Sequence, residues 1–570
     1  MSRRAPPGAA ALLGLLALAL CGAAPPPEWS PSGMVASDHP LASAAGAEIL
    51  AAGGNAVDAA VATALAAGVV QPAGSGLGGG GFALVLRPEG QARVLDFREV
   101  APAAADREMF VRAAAAGDED ASRTGGLAVA VPAEGPGLAA LHASMGRLSL
   151  ARVAAPAIRL AARGFPLGAH LATSLSRLGD GGGPLSALLF GTRARASDTA
   201  GPPHRGQQVR RRALARTLRA FAATRGEVMK RGWVAADMVA ATRAAGGLLT
   251  EADLAADTVV ERAPLVGRYR EWTVTTMPPP SSGGAVLLQA LAVLEGYDLR
   301  AMGAGSSALW HLLAEVGQHA FADRARLMGD PDRVAVPLDR ILAPTRVQAV
   351  RAAFDPDRTL PAEAYGLPVD PGQDGGTQHI SVVDDQGLAV ALTTTVNTSF
   401  GSEVVAPRSG VLLNDQMDDF VARPGVPNAF GLIGSEANAV APGARPLSSM
   451  TPTVLSHPDG RRIVLGASGG PTIISATLQA ILSIVDFDMD PAEAVSAPRM
   501  HHQWQPRVLS VDEGTPADVV EGLRARGHEV RQVAAFSAVQ VVVREADGDL
   551  LGASDPRKGG APAGVPPSSR

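Results

Sequence analysis

The sequence predicts a large mixed α/β protein, and three observations carry that reading. Near the middle, Gln378–Asp384 and Leu388–Thr394 are apolar, β-branched runs broken by Asp385-Gln386-Gly387, the pattern of a hairpin whose glycine takes the left-handed position of a three-residue loop. Helical patterns fill much of the first half, from Pro40 to about Val70 and again from Gly137 to about Ala244. Finally, 570 residues exceed the size at which one simple core stops growing, so two closely packed lobes or one large layered domain is expected.

Hydrophobic residues make up 46% of the chain, as in a globular protein, and 65 glycines with 44 prolines predict many turns without reaching the composition of disorder. A net charge of −5 and an aromatic content of 4% supply neither the basic field nor the stacking rings that nucleic-acid binding requires, and that class is set aside. The N-terminus carries Arg3 and Arg4, an apolar run from Ala9 to Leu20, and Cys21-Gly22-Ala23-Ala24. This is signal-peptide architecture, too short to span a bilayer, so residues 1–24 predict export to the periplasm or the extracellular space. Cys21 ends a Leu-x-x-Cys box, which leaves lipid anchoring open beside ordinary cleavage near Ala23 or Ala24. It is the single cysteine, so no intrachain disulfide and no catalytic thiol are expected. Removal of the leader takes two arginines and no acid, making the mature charge −7.

In order along the chain, a Pro-rich lead (residues 25–32) precedes an Ala-rich helix from Pro40 to Ala52, stopped by Gly53-Gly54, and Asn55 caps a second helix to about Val70. Gly74-Ser75-Gly76-Leu77-Gly78-Gly79 matches G-x-G-x-x-G, but it follows a helix and leads into a strand, the reverse of a dinucleotide fingerprint, and is expected to serve close backbone packing. Phe82–Leu86 and Ala92–Phe97 form a second hairpin that delivers Arg98 at a strand end. Within the later helical region, residues 191–212 form an irregular insert whose six arginines read as a solvated loop. A strand within 267–280 runs into Ser281-Ser282-Gly283-Gly284, which opens a helix from Ala285 to Leu294 with one of the serines as N-cap. Residues 305–328 form a long helix, and the Pro/Gly/Asp-rich stretch 355–376 is a loop suited to cleavage. Ile463–Ala467 is an apolar strand, with Gly469 and Gly470 at the start of a helix over Thr472–Val485.

The central hairpin carries a chemical proposal. A loop centred on Gln386 places Thr377 opposite Thr395 across the ladder. A threonine preceded by two glycines can attack the carbonyl of Gly376, because glycine has no Cβ to crowd the tetrahedral intermediate. Cleavage would make Thr377 a new N-terminus carrying its own base, the freed α-amine, with Thr395 orienting the attacking oxygen.

The segments TQHISVVDDQGLAVALTTTVNTSFGS, GVLLNDQMDDF, RPGVPNAFGLIGSEANAV, RPLSSMTPT, GASGGPTII, APRMHHQWQP and GASDPR resemble, in order, the small subunit of γ-glutamyltransferases. These are N-terminal-nucleophile hydrolases that cut themselves before the catalytic threonine. The likeness extends through GGNAVDAAVA, GLGGGGFALV, LDFREVAP, MPPPSSGG and GDPD, covering roughly residues 30 to 560. It implies a four-layer αββα sandwich, with a large subunit of residues 25–376 and a small catalytic subunit of 377–570. It implies Thr377 as nucleophile, Thr395 as its partner, and Gly469 and Gly470 as the oxyanion hole. Arg98, Ser448 and Ser449 would hold a substrate α-carboxylate, and Asn397, Gln416 and Asp419 the α-ammonium. The substrate implied is glutathione or another γ-glutamyl compound, with water or an amino acid as acceptor and no cofactor. Residues 424–438 resemble a substrate lid in which Phe430 stands where several bacterial relatives carry tyrosine, which removes a hydroxyl donor from the lid. Gln378 replaces a threonine common beside the nucleophile.

Three rivals remain open at this level. Related acylases use the same nucleophile on other acyl chains. Gly466-Ala467-Ser468-Gly469-Gly470 satisfies G-x-S-x-G in a strand–turn–helix setting, with Asp486, Asp488 or Asp490 and His501, His502 or His528 following in triad order. An unprocessed exported protein could also bind γ-glutamyl groups without turnover. His501-His502 lacks metal-ligand spacing and is expected to be a hydrogen-bonded structural pair, so no metal site is expected.

Overall fold

The computed structural model describes residues 24–178, 183–190, 204–256, 258–365, 376–423, 426–432, 434–534 and 537–566. Residues 1–23 with Cys21, residues 191–203 of the insert, Gly375, and residues 424, 425 and 433 of the expected lid lie outside them.

Two seven-stranded sheets stack face to face. In one, the order is Ala563–Gly564, Gly33–Ser37, Gly376–Asp384, Ala389–Asn397, Gly80–Leu86, Ala92–Phe97, Val260–Arg262. In the other it is Glu28–Ser30, Leu550–Ser554, Ala538–Arg544, Arg462–Ser468, Thr453–Ser456, Trp272–Thr276, Leu265–Tyr269. Pairing within both sheets is antiparallel throughout.

Strand periodicity sets the layers. In the first sheet Val35, Ala83, Val85, Ile380, Val382, Val390 and Leu392 point into a core shared with the helices Pro40–Ala51, Ala56–Val70, Glu134–Met145 and Leu150–Arg163. Their alternates Met34, Ala36, Phe82, Leu84, Val383, Ala389 and Ala391 point the other way, into a core with Val454, Val464 and Val542 of the second sheet. Helices Gly283–Leu294, Ser307–Leu327 and Thr472–Val485 cover that sheet's outer face. The molecule is therefore the four-layer αββα sandwich, with the Thr377 hairpin at its centre. All eighteen residues of that hairpin's two strands are buried, since both faces are covered.

Local expectations fare well at helix starts. Asn55 accepts from Asp58 N and Asp58 answers in a capping box, fixing the helix at Ala56. The glycine-rich run is close packing: a Cβ on Gly78 would lie 2.0 Å from Leu412 O, and one on Gly79 2.0 Å from Thr395 O. Three expectations need correction. The 267–280 strand is two strands, Leu265–Tyr269 and Trp272–Thr276, joined at Arg270, whose φ is +51°. Ser282 is the N-cap as expected but makes no side-chain capping bond; Ser281 Oγ instead accepts from Gly283 N at 3.1 Å, and both serines have a further role. Their hydroxyls donate to Met450 O at 2.6 Å and Ser448 O at 2.7 Å, tying the helix start to the strand entry beside the site. The insert arginines are not all solvated: Arg211 is 3% exposed and donates to Gly68 O and Gly410 O, because those carbonyls would otherwise be buried without a donor.

Candidate active site

Thr377 and Thr395 face each other in the expected register, with an irregularity at Gly376/Thr377 that pairs Gly376 with Asn397. Their hydroxyl oxygens are 3.1 Å apart. Thr395 donates to the carbonyl of Gly376 at 2.8 Å and accepts from Asn397 N at 2.9 Å. A hydroxyl has one proton to give, so Thr377 must donate to Thr395. Thr395 thus polarises the carbonyl ahead of Thr377 while holding the Thr377 hydroxyl beside it.

A cavity opens at this pair, lined by Arg98, Thr377, Thr395, Asn397, Gln416, Asp419, Ser448, Ser449, Gly470, Phe430 and Leu432, among others. Nine of the ten residues singled out from sequence therefore line one cavity. Gly469 sits one residue behind Gly470, at the end of the strand Arg462–Ser468 and the start of the helix Thr472–Val485. Gly470 has φ +60°, and a Cβ there would lie 2.8 Å from the ring of Phe430, so only glycine suits both the turn and the lid contact.

The charges are pre-paired. The Arg98 guanidinium, 1% exposed, donates to Asp419 and, through Nε, to Pro446 O at 3.1 Å. Gln416 Nε2 donates to the same Asp419 oxygen at 2.7 Å. Asn397 holds a left-handed φ of +83° and donates to Asp415 O at 3.1 Å, so its side chain is fixed before a ligand arrives. A guanidinium with five N–H groups and a carboxylate with four lone-pair directions both retain capacity for a zwitterionic head group beside their mutual bond.

Sequence reasoning missed two charged neighbours. Glu99 is fully buried, with both oxygens lacking hydrogen-bond partners 3.7 Å from Arg98; burial first, against the pull of Arg98, pushes its carboxyl up to about 8. It follows Arg98 directly in LDFREVAP, and sequence offers no sign that both side chains turn inward. Lys558 donates to Thr377 O at 3.0 Å and Ser468 Oγ at 2.7 Å. Its signal was the Asp555-Pro556-Arg557-Lys558 turn that ends the strand Leu550–Ser554.

The rival serine arrangement does not assemble. Ser468 is fully buried and its hydroxyl faces Lys558 and Ala538 O, with no histidine bonded to it. Asp486 is taken by Tyr269 and Arg270, and His501 by Ser475 and Gln503. His501 and His502 are buried, each with its own partners, Trp504 N donating to His502 Nδ1, so they are not bonded to each other. Elsewhere His311, Glu315 and His528 converge, a grouping no spacing rule had suggested. It is closed by its own hydrogen bonds: His311 Nδ1 to His528 Nε2 at 2.7 Å, and Gln318, Thr359 and Tyr365 on Glu315.

A sequence model of the family described as Gamma-glutamyltranspeptidase matches residues 42–565. The glutathione hydrolase proenzyme of Escherichia coli (strain K12) is 40% identical over 532 residues, 93% of this chain and 91% of that one. Glutathione hydrolase proenzyme 1 of Schizosaccharomyces pombe is 36% identical, covering 92% and 83%. Among solved structures, a cephalosporin acylase from Bacillus halodurans superposes with a TM-score of 0.83 at 27% identity, over 99% of both chains. The Helicobacter pylori gamma-glutamyltranspeptidase matches 57% of this chain and 92% of its own, with a TM-score of 0.52 at 35% identity.

Proposed function

The chain belongs to the γ-glutamyltranspeptidase family, and from that membership we propose that it is a γ-glutamyltransferase with glutathione hydrolase activity, made as a precursor that cuts itself between Gly376 and Thr377. The observation that carries this reading is the Thr377–Thr395 pair opening into the same cavity as the Arg98–Asp419 clamp.

In the precursor, Thr377 Oγ1 attacks the Gly376 carbonyl that Thr395 polarises; the C–N bond breaks and the freed Thr377 amine takes the hydroxyl proton, leaving a Gly376–Oγ1 ester that water hydrolyses to the Gly376 carboxylate and the free Thr377 hydroxyl. In the two-chain enzyme, of residues 25–376 and 377–570, that amine takes the hydroxyl proton as Oγ1 attacks the γ-amide carbonyl. Arg98, Ser448 and Ser449 hold the α-carboxylate, and Asn397, Gln416 and Asp419 hold the α-ammonium. Backbone N–H groups at Gly469 and Gly470 meet the oxyanion, each such donor being worth about 3 kcal/mol of barrier. The leaving amine takes the proton, and water or an acceptor amino acid releases the acyl group. The completeness of the head-group clamp favours a γ-glutamyl substrate over the acyl chains of the structurally similar acylase, because an acyl chain without a charged head would leave the spare donors of buried Arg98 and the spare acceptors of Asp419 unmatched. Export directed by residues 1–24 completes the reading, with a lipid anchor at Cys21 as a variant of it.

Intact mass of the purified protein beside Thr377→Ala tests it. The wild type is expected as two chains, the smaller starting at Thr377, and the variant as one. Two uncut chains would overturn the mechanism.

A further inference from the structure

We propose that Lys558 is a positioning residue that keeps the freed α-amine of Thr377 in its proton-accepting form. The inference rests on the reading of Thr377 as the chain-start nucleophile. Lys558 Nζ lies 3.0 Å from the carbonyl oxygen of Thr377. A residue's own amine and carbonyl oxygen are three bonds apart, so the ammonium stands within about 6 Å of the amine. A fixed cation at that range disfavours a second positive charge, and burial around the hairpin leaves little water to screen it.

Two further contacts fix the cation. Nζ donates to Ser468 Oγ at 2.7 Å, one residue before Gly469, so a single ammonium ties the nucleophile strand to the strand that ends at the proposed oxyanion glycines. Behind it, at 3.9 Å, lies Asp38, fully buried, bonded by Gln540 through one oxygen and with no hydrogen bond to the other. The other ionisable groups around Lys558 are Asp555, which acts on Asp38, and His170, whose imidazole burial and Lys558 hold neutral. Arg98 and Asp419 face Thr377 from across the cavity as a closed pair. Burial raises the Asp38 carboxyl to about 6 against the pull of Lys558, so above that pH Asp38 is the anion that offsets Lys558, and removing it should there act opposite to removing Lys558.

The test is the pH dependence of kcat/KM with a chromogenic γ-glutamyl anilide, using processed wild type, Lys558→Met, Lys558→Arg and Asp38→Asn. Without the cation the amine protonates more readily, so the acid limb of Lys558→Met is expected to move up by about one unit, a ~10-fold loss on the acid side that fades above the limb. Lys558→Arg should keep the limb near wild type, and Asp38→Asn should move it down. An equal loss at every pH, or a rise in KM with an unmoved limb, overturns the proposal. If Lys558→Met remains uncut, Asp38→Asn decides: a limb that stays or moves up overturns it. A wild type that is uncut or inactive on the anilide would instead sink the underlying reading.

Discussion

Asp419 is engaged by three side chains before any ligand arrives: Arg98, Gln416 and, at 3.4 Å, Asn428 of the lid. Asp419→Ala is expected to lower kcat/KM by ~10²–10³-fold, chiefly through KM, because it strips the ammonium partner and leaves Arg98 buried beside an empty place. The same change should destabilise the fold by about 3 kcal/mol, read by chemical denaturation. Glu99 makes a separate prediction about pH. Its folded-state value, about 8, lies above that of the unfolded chain, so the native state holds the proton. Stability present at acid pH is then lost as the pH rises toward 8. Melting temperature should fall across that window, and Glu99→Gln should flatten part of the slope; a slope unchanged in the variant would contradict the assignment. Glu134, raised to about 8 by its own burial, supplies a further share. These residues show what was legible. Thr377, Arg98 and Asp419 stood inside ordered motifs and could be read directly, whereas Glu99 and Lys558 matter through burial and long-range contact, which no local spacing encodes.

The glycine run before the strand Gly80–Leu86 is the element on which the hairpin rests. Adding a Cβ at Gly79 would drive it into the carbonyl of Thr395, a backbone atom that cannot step aside without moving the residue hydrogen-bonded to Thr377. Gly79→Ala is expected to block cleavage and lower the soluble yield, with a penalty above the ~1–3 kcal/mol usual for overpacking a side-chain site. A normally cut, soluble variant would show that the strand can shift. Hairpins, capped helices and the strand–turn–helix at Gly469 were readable because each rests on local chemistry: turn glycines, an Asn–Asp capping box, period-two patterning. Arg211 was misread, and the tertiary bonds of Ser281 and Ser282 missed, for the converse reason. Their partners, Gly68, Gly410, Met450 and Ser448, lie more than a hundred residues away in sequence, so local rules assigned them to solvent and to a helix cap.

At the scale of the molecule, the proposed cut does not fall between lobes. Strand Gly376–Asp384 pairs with Gly33–Ser37, Ala389–Asn397 with Gly80–Leu86, Thr453–Ser456 with Trp272–Thr276, and Leu550–Ser554 with Glu28–Ser30. Each sheet therefore contains strands from both sides of the junction, and the two chains of the processed protein should stay together in native mass spectrometry, parting only in denaturant. Arg211 adds a buried tie across the same divide, and Arg211→Met should cost about 2 kcal/mol by orphaning Gly68 O and Gly410 O. That interleaving has a kinetic consequence. Neither segment completes either sheet or closes a core alone, so the uncut precursor folds as a first-order event while the severed pair must first meet in solution. Diluted from denaturant, Thr377→Ala should regain its structure at a rate independent of protein concentration. The cut wild type should recover more slowly as it is diluted, and below some concentration its two chains should remain apart and unassembled. The peptide bond at Gly376 would then be a folding aid discarded after use, leaving an enzyme that lasts by unfolding slowly rather than by its capacity to refold.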